Sequence, residues 1–283
     1  MIWSMIAALC APSFEVQGHR GARAVLPENT IPAFDYALKV GVDVLELDLA
    51  VTADDHLVVI HDPVISPERC LDVGGKPLSA GIPVRSVTLA RVKQLDCGTL
   101  PHTRFPKQQA QPGTRIPTLD EVFAHVKASK HPAAKAVRFN IETKGVPGLP
   151  ELTPTAEKFA ELLVQAIDRA GVRERVIVQS FDQRTLLAMA DRAPEITRAL
   201  LTAENLIDHV AAAKAAKAQI ISPHHLWITA DDVKRMHAAG LKVVPWTANT
   251  PSAWARLKRL GVDGIISDDP EALMKWRTRE GSD

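Results

Sequence analysis

The sequence predicts a (β/α)8 barrel with an insertion between its second strand and second helix. Eight strand-like segments occur in 283 residues, and a helical pattern follows most of them. Strands that alternate with helices indicate a parallel sheet with right-handed crossovers, and eight such units fit a barrel of this length. The predicted strands are Glu15–Gly18, Val44–Val51, Val137–Thr143, Val176–Ser180, Thr197–Leu201, Gln219–Ser222, Lys242–Thr247 and Gly264–Ser267.

The helices that separate these strands carry ordinary start and stop signals. Asn29 or Thr30 can cap the first helix, with Pro32 tolerated in its first turn, and Gly41 stops it. An open doubly wound sheet is the alternative, but no G-x-G-x-x-G motif follows the first strand, which weakens a dinucleotide-binding version. The predicted helices are Ile31–Val40, Leu119–Ser129, Thr155–Ala170, Gln183–Ala193, Asn205–Ala216, Ala230–Ala239, Pro251–Leu260 and Pro270–Trp276.

Residues 62–117 break the alternation. This stretch is rich in proline and glycine and is too long for a plain loop between a strand and a helix. We expect Leu57–Ile60 to form a short added strand that leads into an insertion over the mouth of the barrel. A disordered linker is disfavoured, because apolar residues such as Val84, Val92 and Leu95 can pack.

The expected organisation is one barrel domain over residues 14–283, with the insertion at about 62–117. Residues 1–13 combine a short apolar run with the small residues Ala11-Pro12-Ser13. They are compatible with a truncated signal peptide, although a charged leading region is absent, or with a cap strand at the bottom of the barrel.

Composition excludes several classes of protein. The hydrophobic content of 46% and the charged content of 24% are ordinary for a globular protein. A net charge of +1 without a long basic run gives no indication of nucleic-acid binding. No apolar run reaches the roughly 20 residues needed to span a bilayer, so we expect no stable membrane insertion. The cysteines lack a C-x-x-C spacing, which disfavours zinc; Cys70 and Cys97 are either a disulfide pair or free thiols.

Two segments place acidic residues on one face of a strand. In Leu45-Glu46-Leu47-Asp48-Leu49, strand alternation puts both acids on one face and the leucines on the other. Burying two like charges is costly unless protons or a cation compensate, and a hard divalent ion bound by oxygen ligands is the simplest compensation. A solvent-facing strand is the alternative for this segment taken alone.

The second segment, Arg138–Lys144, repeats the arrangement. Asn140, Glu142 and Lys144 share one face, while Phe139 and Ile141 share the other. Glu142 offers a third carboxylate and Lys144 offers a cation for an anionic ligand. Together the two segments favour one divalent cation, Mg²⁺ or Ca²⁺, bound by Glu46, Asp48 and Glu142.

The remaining candidates also follow predicted strands, and active sites of (β/α)8 barrels are built at that end. His19 and His61 are the candidate general base and acid, because histidine titrates near neutrality. Arg20 supplies local positive charge. Gln179 is a candidate polar contact, and Trp246 either packs on a ligand or belongs to the core with its N–H bonded. Asn249 and Asp268 lie after the last two strands.

These residues occur in a pattern that resembles the glycerophosphodiester phosphodiesterase family: H-R-G, P-E-N-T, E-x-D, T-x-D and H-D, followed by N-I-E-T-K, Q-S-F, W-T-A-N and D-G-I-I-S-D. The resemblance covers residues 15–272. It implies an insertion between the second strand and second helix, and metal-dependent hydrolysis of small glycerophosphodiesters to sn-glycerol 3-phosphate and an alcohol, within lipid and glycerol metabolism. It also implies that the E-x-K segment supplies a metal ligand, Glu142, and a phosphate contact, Lys144. Arg20 is expected beside the metal as a second phosphate contact. From its broken periodicity and its position after His61, we expect the insertion to set headgroup choice.

One departure from the family pattern bears on local geometry. Where the family often has T-x-D-G, this chain has Thr52-Ala53-Asp54-Asp55-His56, and Asp tolerates a positive φ less well than Gly. Two other readings of the chain stay open: a related phospholipase of the same barrel type, and a non-catalytic protein that binds phosphate esters. We expect a periplasmic or secreted location rather than a cytoplasmic one, from residues 1–13 and the candidate Cys70–Cys97 pair. Oligomeric state is left open.

Overall fold

The structure is a computed structural model that describes residues 14–205 and 208–280. Over these residues, eight parallel strands form a nearly closed barrel with helices outside it, so the predicted fold class is confirmed. The candidate signal peptide or cap at residues 1–13 lies outside the described residues. The strands are β1 (Glu15–Gly18), β2 (Val44–Val51), β3 (Leu57–Val59), β4 (Val64–Ile65), β5 (Ile82–Pro83), β6 (Arg138–Thr143), β7 (Val176–Ser180), β8 (Thr197–Thr202), β9 (Ile220–Pro223), β10 (Lys242–Val243) and β11 (Gly264–Ser267).

The helices follow the barrel strands as predicted, with most ends within one residue of the prediction and two larger differences. The predicted helix at Asn205–Ala216 begins later, because Asp208 is its N-cap and accepts a hydrogen bond from the N–H of Ala211. The last helix runs on to Glu280 rather than ending at Trp276. The helices are α1 (Ile31–Val40), α2 (Leu89–Val92), α3 (Leu119–Ala128), α4 (Ala156–Ala170), α5 (Gln183–Arg192), α6 (His209–Ala215), α7 (Ala230–Ala238), α8 (Pro251–Leu260) and α9 (Pro270–Glu280).

The barrel order is β10-β9-β8-β7-β6-β2-β1-β11, and all neighbouring pairs along it are parallel. The sheet closes through backbone hydrogen bonds from Ile266 N–H to the carbonyl of Pro245 (3.1 Å) and from Ala248 N–H to the carbonyl of Ile266 (3.0 Å). The seventh barrel strand is shorter than the predicted Lys242–Thr247, because Pro245 has no N–H to donate to the ladder.

The strand register aligns the polar residues at the barrel mouth. Asp48 of β2 pairs with Glu142 of β6, and Glu142 pairs with Gln179 of β7. Glu46 pairs with Asn140 one layer below. Strand alternation turns the leucines of β2 outwards, where they join the main hydrophobic core between the barrel and its helices. The inward face of the same strands is therefore left to acids and amides.

The insertion has a hydrophobic core of its own. The main core contains none of residues 62–117 among the residues that the structure describes. A second cluster packs Ile65, Val84, Val92 and Leu95 of the insertion against Val58 of β3. Strand β3 pairs antiparallel with the end of β2, and β4 and β5 form a small hairpin. The insertion is thus attached to the barrel at the end of the strand that carries Glu46 and Asp48.

A disulfide joins Cys70 to Cys97 within the insertion, so the pairing, and not the free-thiol alternative, is present. The two Cα atoms are 4.1 Å apart, inside the limit of about 7 Å for a disulfide. Cys70 is buried in the insertion core.

The departure from T-x-D-G leaves the turn intact. Asp55 adopts the left-handed conformation with φ of 61°. Its carboxylate accepts a hydrogen bond from Arg85 Nη1 at 2.6 Å and lies 3.4 Å from Lys158 Nζ. These ion pairs offset the cost that a non-glycine residue incurs in this conformation. Among the described residues, no helix is long and apolar enough to cross a membrane.

We predict that the disulfide stabilises the insertion. Reduction of the wild-type protein should lower the free energy of unfolding of this region by up to about 3–4 kcal/mol, since the bond closes a loop of roughly 28 residues. Hydrogen exchange of residues 62–117 with and without reductant measures the effect. A Cys70→Ser/Cys97→Ser variant is the control, because its exchange should not respond to reductant. Equal exchange of oxidised and reduced wild type would contradict the prediction.

Candidate active site

The loop after β1 positions the first site residues. A Cβ on Gly18 would lie 2.3 Å from the carbonyl oxygen of Gly21, and Gly21 itself has φ of 85°, a value that side chains rarely adopt. Arg20, between them, also has a positive φ of 50°, and its backbone N–H donates to Glu46 Oε2 at 2.8 Å. The surrounding structure holds this unfavourable conformation, which is typical of functional sites. As a result His19 and Arg20 lie against the acids of β2.

The three predicted carboxylate ligands converge at the mouth. One oxygen atom of each of Glu46, Asp48 and Glu142 lies within 4.8 Å of the others. All three residues are buried, which excludes an exposed charged strand for either segment. Alternation along β2 and the pairing of Asp48 with Glu142 produce this convergence.

The electrostatics of this cluster are those of a cation site. Burial, together with repulsion from Asp48 and Glu142, raises the pKa of Glu46 well above its ordinary value. Burial likewise raises the pKa of Glu142, with Lys144 acting in the opposite direction. Burial also acts to raise the pKa of Asp48, but the positive charges of Lys144 and Arg20 outweigh it and hold that pKa well below its usual range. Three buried carboxylates this close therefore need further positive charge.

The donor set fits a hard divalent ion. Oδ1 of Asp48 is buried and accepts no hydrogen bond of normal geometry. The other ligand candidates are also carboxylate oxygens, which Mg²⁺ and Ca²⁺ prefer. Around them, Gln179 Nε2 donates to Glu46 Oε1 at 2.7 Å, and Asn29 Nδ2 donates to Asp48 Oδ2 at 2.8 Å. Such outer contacts fix the orientation of ligand carboxylates.

Two cations border the acidic cluster. Nζ of Lys144 lies 2.5 Å from Glu142 Oε1 and 3.1 Å from Asp48 Oδ1. Burial lowers the pKa of Lys144, but the two carboxylates outweigh this effect and raise it above the ordinary value. Arg20 Nε lies 3.2 Å from Asp48 Oδ2. Both cations also line a cavity at the barrel mouth, so each can contact an anionic ligand bound in that cavity.

His19 is oriented by a chain of hydrogen bonds. Its Nδ1 lies 2.5 Å from Asp268 Oδ1, and a carboxylate can only accept, so Nδ1 carries the proton. Asn249 Nδ2 donates to the other oxygen of Asp268 at 2.7 Å, and the Asp268 N–H donates back to Asn249 Oδ1 at 2.9 Å. The free Nε2 of His19 faces Glu46, 3.9 Å from its Oε2.

The protonation states of this pair follow from burial and charge. Burial lowers the pKa of His19 to about 4, despite the opposing effect of Asp268. Burial acts to raise the pKa of Asp268, but His19 and Arg23 outweigh it, and the value falls to about 2. At neutral pH, His19 is therefore a neutral imidazole held by an ionised carboxylate.

His61 has a similar arrangement in a more open position. Its Nδ1 lies 2.7 Å from Asp62 Oδ1, which again directs Nε2 away from the carboxylate. The His61 side chain is 30% exposed, compared with 11% for His19. The two histidines thus differ in access to solvent while both line one cavity.

The cavity that collects these side chains has a volume of about 490 Å³. Trp246 and Phe181 form part of its wall, with ring centroids 5.6 Å apart in an edge-to-face contact. His224 also reaches the cavity and packs on Trp246, whereas His225 instead contacts Arg256. Trp246 donates its indole N–H to the carbonyl of Ser222 at 2.9 Å and packs against interior residues, while its contact with a ligand stays a prediction. Gln179 contacts Glu46, and its contact with a ligand stays a prediction.

Several site contacts were not assigned from the sequence. Glu28 forms ion pairs with Arg20 and Arg23. Asn29 was considered as a helix cap, but Thr30 takes that role and Asn29 contacts Asp48. The P-E-N-T motif was the available signal for both residues. The carboxylates that orient the histidines, Asp62 and Asp268, could be assigned only once the fold had brought the segments together.

Comparison with known proteins finds similar chains over nearly the whole length. A curated glycerophosphodiester phosphodiesterase from Caldanaerobacter subterraneus subsp. tengcongensis is 36% identical over 266 residues, 94% of this chain and 98% of that protein. A crystal structure from Silicibacter pomeroyi DSS-3 has a TM-score of 0.88 at 29% identity, over 95% of this chain and 94% of the other. An Oleispira antarctica phosphodiesterase, solved in complex with the product sn-glycerol-3-phosphate, has a TM-score of 0.76 at 22% identity, over 93% and 96% of the two chains.

The fold and these similarities define a barrel phosphodiesterase. The sequence pattern of the Glycerophosphoryl diester phosphodiesterase family matches residues 19–272. The chain belongs to this family.

We predict that metal binding depends on Glu46 and stabilises the protein. Mg²⁺ or Ca²⁺ at 100 times its dissociation constant should add about 2.7 kcal/mol to the free energy of unfolding of the wild type, and chelation should remove the gain. Glu46→Gln removes one of three repelling charges, so the metal-free variant should be at least as stable as metal-free wild type while gaining little from metal. Thermal unfolding with and without metal measures both effects.

Glu161→Gln is the matched control, because Glu161 is on the outer helix α4 and pairs with Lys158. It should respond to metal as the wild type does. A Glu46→Gln variant that metal stabilises as strongly as the wild type would rule out Glu46 as a ligand.

Proposed function

We propose that this protein hydrolyses glycerophosphodiesters to sn-glycerol 3-phosphate and an alcohol, using two histidines and one divalent cation. The observation that carries the proposal is the buried Glu46–Asp48–Glu142 cluster, which shares one cavity with His19 and His61. Family membership supports the substrate class. The Oleispira antarctica phosphodiesterase was solved with sn-glycerol-3-phosphate, which supports the same product here.

Glu46, Asp48 and Glu142 would hold the cation, either Mg²⁺ or Ca²⁺. When bound, it supplies positive charge that neutralises the phosphate oxygens as negative charge develops in the transition state. Arg20 and Lys144 border the same cluster and bind the remaining phosphate oxygens. The planar guanidinium of Arg20 suits bidentate contact with phosphate, whereas Lys144 acts as a point charge.

His19 is the general base of the proposed reaction. It is neutral at pH 7 because burial lowers its pKa to about 4, so it is ready to accept a proton. Asp268 holds Nδ1 as the donor and leaves Nε2 free to take that proton. The ionised Asp268 also stabilises the imidazolium that results.

His61 is the general acid. Its Nδ1 contacts Asp62 and its ring lies at the more open side of the cavity, so Nε2 is the atom that donates the proton in the proposed reaction. It gives this proton to the alkoxide oxygen of the departing alcohol. A phosphodiester needs both transfers, because the nucleophile must lose a proton and the leaving group must gain one.

The glycerol of the substrate offers an internal nucleophile. Its free 2-hydroxyl is adjacent to the phosphate and can attack phosphorus as His19 takes the proton, while the P–O bond to the alcohol breaks. This step gives a cyclic phosphate, which water opens in a second step. An intramolecular attack of this kind gains from proximity.

A second candidate function is favoured by the rim of the cavity. Phe181, Leu226 and Trp227 are large apolar side chains with exposures of 45%, 68% and 48%. They follow β7 and β9 at the mouth, and Phe181 also lines the cavity. An apolar rim is typical of enzymes that act on lipids. A phospholipase that removes the headgroup of a lysolipid is the alternative that this rim supports.

We propose an oxidising compartment, the periplasm or the extracellular space, as the location. The Cys70–Cys97 disulfide supports it, because structural disulfides persist where thiols are not kept reduced. Counting free thiols in protein isolated from its native source tests the proposal. Cys70 and Cys97 found as free thiols there would contradict it.

We predict that the purified protein releases glycerol 3-phosphate from glycerophosphocholine when Mg²⁺ or Ca²⁺ is present and loses this activity on chelation. An enzyme-coupled assay for glycerol 3-phosphate makes the measurement. Lysophosphatidylcholine below its micellar concentration is the parallel substrate, and released choline, which cleavage of the headgroup yields from both substrates, is measured to compare the two. Faster cleavage of the lysolipid would favour the second candidate function, and cleavage of neither substrate would contradict both.

We predict that His19→Ala and His61→Ala each lower kcat by at least ~10²-fold, the usual contribution of a general acid or base. Asp268→Asn keeps the shape of the side chain but disturbs the His19 tautomer, and it should cost about 10–100-fold, as removal of an orienting partner does elsewhere. His237→Ala is the control, since His237 pairs with Asp263 near the opposite end of the barrel strands. Near-wild-type turnover in either catalytic variant would remove that histidine from the mechanism.

A further inference from the structure

Three arginines gather beside the catalytic cavity, apart from the cations already assigned to the phosphate. Arg23 Nε lies 2.6 Å from Glu28 Oε2, and Arg69 Nη1 forms an ion pair with Glu28 Oε1. Arg104 makes no side-chain hydrogen bond and no ion pair with any of residues 14–205 or 208–280, and it is exposed. We call Arg23, Arg69 and Arg104 the arginine cluster.

The cluster carries more positive charge than its surroundings compensate. Glu28 is the ion-pair partner of both Arg23 and Arg69. It also pairs with Arg20, whose Nη1 lies 2.8 Å from Glu28 Oε1. Asp268 approaches Arg23 to 4.0 Å, but it is already engaged with His19 and Asn249. Asp62 contacts His61.

Burial and mutual repulsion both lower the pKa values of the buried arginines in the cluster. Burial, followed by the positive charges of neighbouring arginines, lowers the pKa values of Arg23 and Arg69 to about 10. Burial and the charges of Arg69, Arg23 and Arg104 lower the pKa of His102 to about 4, so His102 adds no charge at neutral pH. Arg23 and Arg69 therefore remain protonated at pH 7. An anion placed among the three guanidinium groups would relieve the repulsion.

The cluster lies where two cavities meet. Its three arginines line the catalytic cavity. Arg69 and Arg104 also line a second cavity of about 620 Å³ under the insertion, which shares His61 and Asp62 with the catalytic one. A substrate whose phosphate lies at the acidic cluster and whose other end extends past His61 would therefore pass the arginines. His61 is the proposed donor to the departing alcohol, so that end is the headgroup.

The insertion holds the cluster in place. Arg69 precedes the disulfide-bonded Cys70. Arg23 lies 5.1 Å above the ring of Phe105, and the side chain of Gln108 donates to its backbone carbonyl at 2.7 Å. Arg69 is thus held next to the disulfide of the insertion, and Arg23 is packed against the insertion from the barrel side.

We propose that Arg23, Arg69 and Arg104 form a subsite for a second negative charge on the substrate, so that this protein selects glycerophosphodiesters with an anionic headgroup, such as a phosphorylated polyol. This inference rests on the proposed function for the placement of the reacting phosphate. Guanidinium groups bind phosphate through paired, charge-assisted hydrogen bonds, and three converging ones provide more donors than Glu28 can accept.

A purely structural role is the competing explanation: the arginines would fasten the insertion to the barrel through Glu28. That role accounts for Arg23 and Arg69, but Arg104 has no carboxylate partner among the described residues. Arg104→Gln therefore separates the two explanations, because it should change ligand binding without loosening the insertion. Arg169→Gln is the matched control, since Arg169 is an exposed arginine on α4 that pairs with Asp120.

The test compares glycerophosphoinositol with glycerophosphoinositol 4-phosphate, which differ only in the added phosphate. Binding is measured by calorimetry with Mg²⁺ in a His61→Ala background, so that hydrolysis does not interfere. We expect the phosphorylated ligand to bind at least about tenfold more tightly, and Arg104→Gln to reduce this preference at least about threefold. Arg69→Gln/Arg104→Gln should nearly abolish it, and Arg169→Gln should leave it unchanged.

Equal affinities for the two ligands would overturn the proposal. A preference that survives in both Arg104→Gln and the double variant would also overturn it, since the second phosphate would then bind elsewhere. Turnover of the same ligands by wild-type protein is measured separately. If the protein hydrolyses both ligands without preferring the phosphorylated one, the subsite is rejected but the proposed function is not. If the protein binds the phosphorylated ligand more tightly but hydrolyses neither ligand, the proposed function is rejected and the subsite is kept.

Discussion

The concentration of three buried carboxylates on the inner face of β2 and β6 is the constraint on which the rest of the site depends. Glu46, Asp48 and Glu142 repel one another in a region from which water is largely excluded, and such an arrangement is strongly unfavourable without compensating charge. Lys144 and Arg20 supply part of that compensation and a divalent ion would supply the rest. The positions of the amides of Gln179 and Asn29, and the strained backbone of Arg20, follow from holding these acids in place.

The barrel and the acidic cluster could be predicted from local patterns because both are encoded in strand periodicity. Two acids separated by one leucine must share a face in any strand, and parallel pairing then brings β2 next to β6 without further information. Glycines at the helix ends marked where each helix stops and the next strand begins, and so predicted the same alternation of helices and strands. Where prediction fell short, the cause was local chemistry: Pro245 interrupts the ladder of the seventh strand, and the side chain of Asp208 caps its helix by accepting a hydrogen bond from the N–H of Ala211.

The partners of His19 and His61 could not be predicted in the same way. Asp268 is separated from His19 by 249 positions, and only closure of the barrel between its first and last strands brings them together. The arginine cluster is a similar case, because it combines the β1 loop with two distant parts of the insertion. The turn at Asp55 is a different case, because the sequence indicated an unfavourable turn and the structure shows the contacts that stabilise it. A residue poorly suited to a left-handed conformation is retained there because Arg85 and Lys158 provide partners that glycine would lack.

The separate hydrophobic core of the insertion has a consequence for how this protein can change over evolutionary time. Because none of residues 62–117 contributes to the main core among the described residues, substitutions there are largely decoupled from the packing that maintains the barrel. The loops of the insertion that line the cavity can therefore accumulate mutations at little cost to the scaffold that positions the acids. Under the proposed function, drift in this one region would alter substrate preference while the acids at the mouth stay in place.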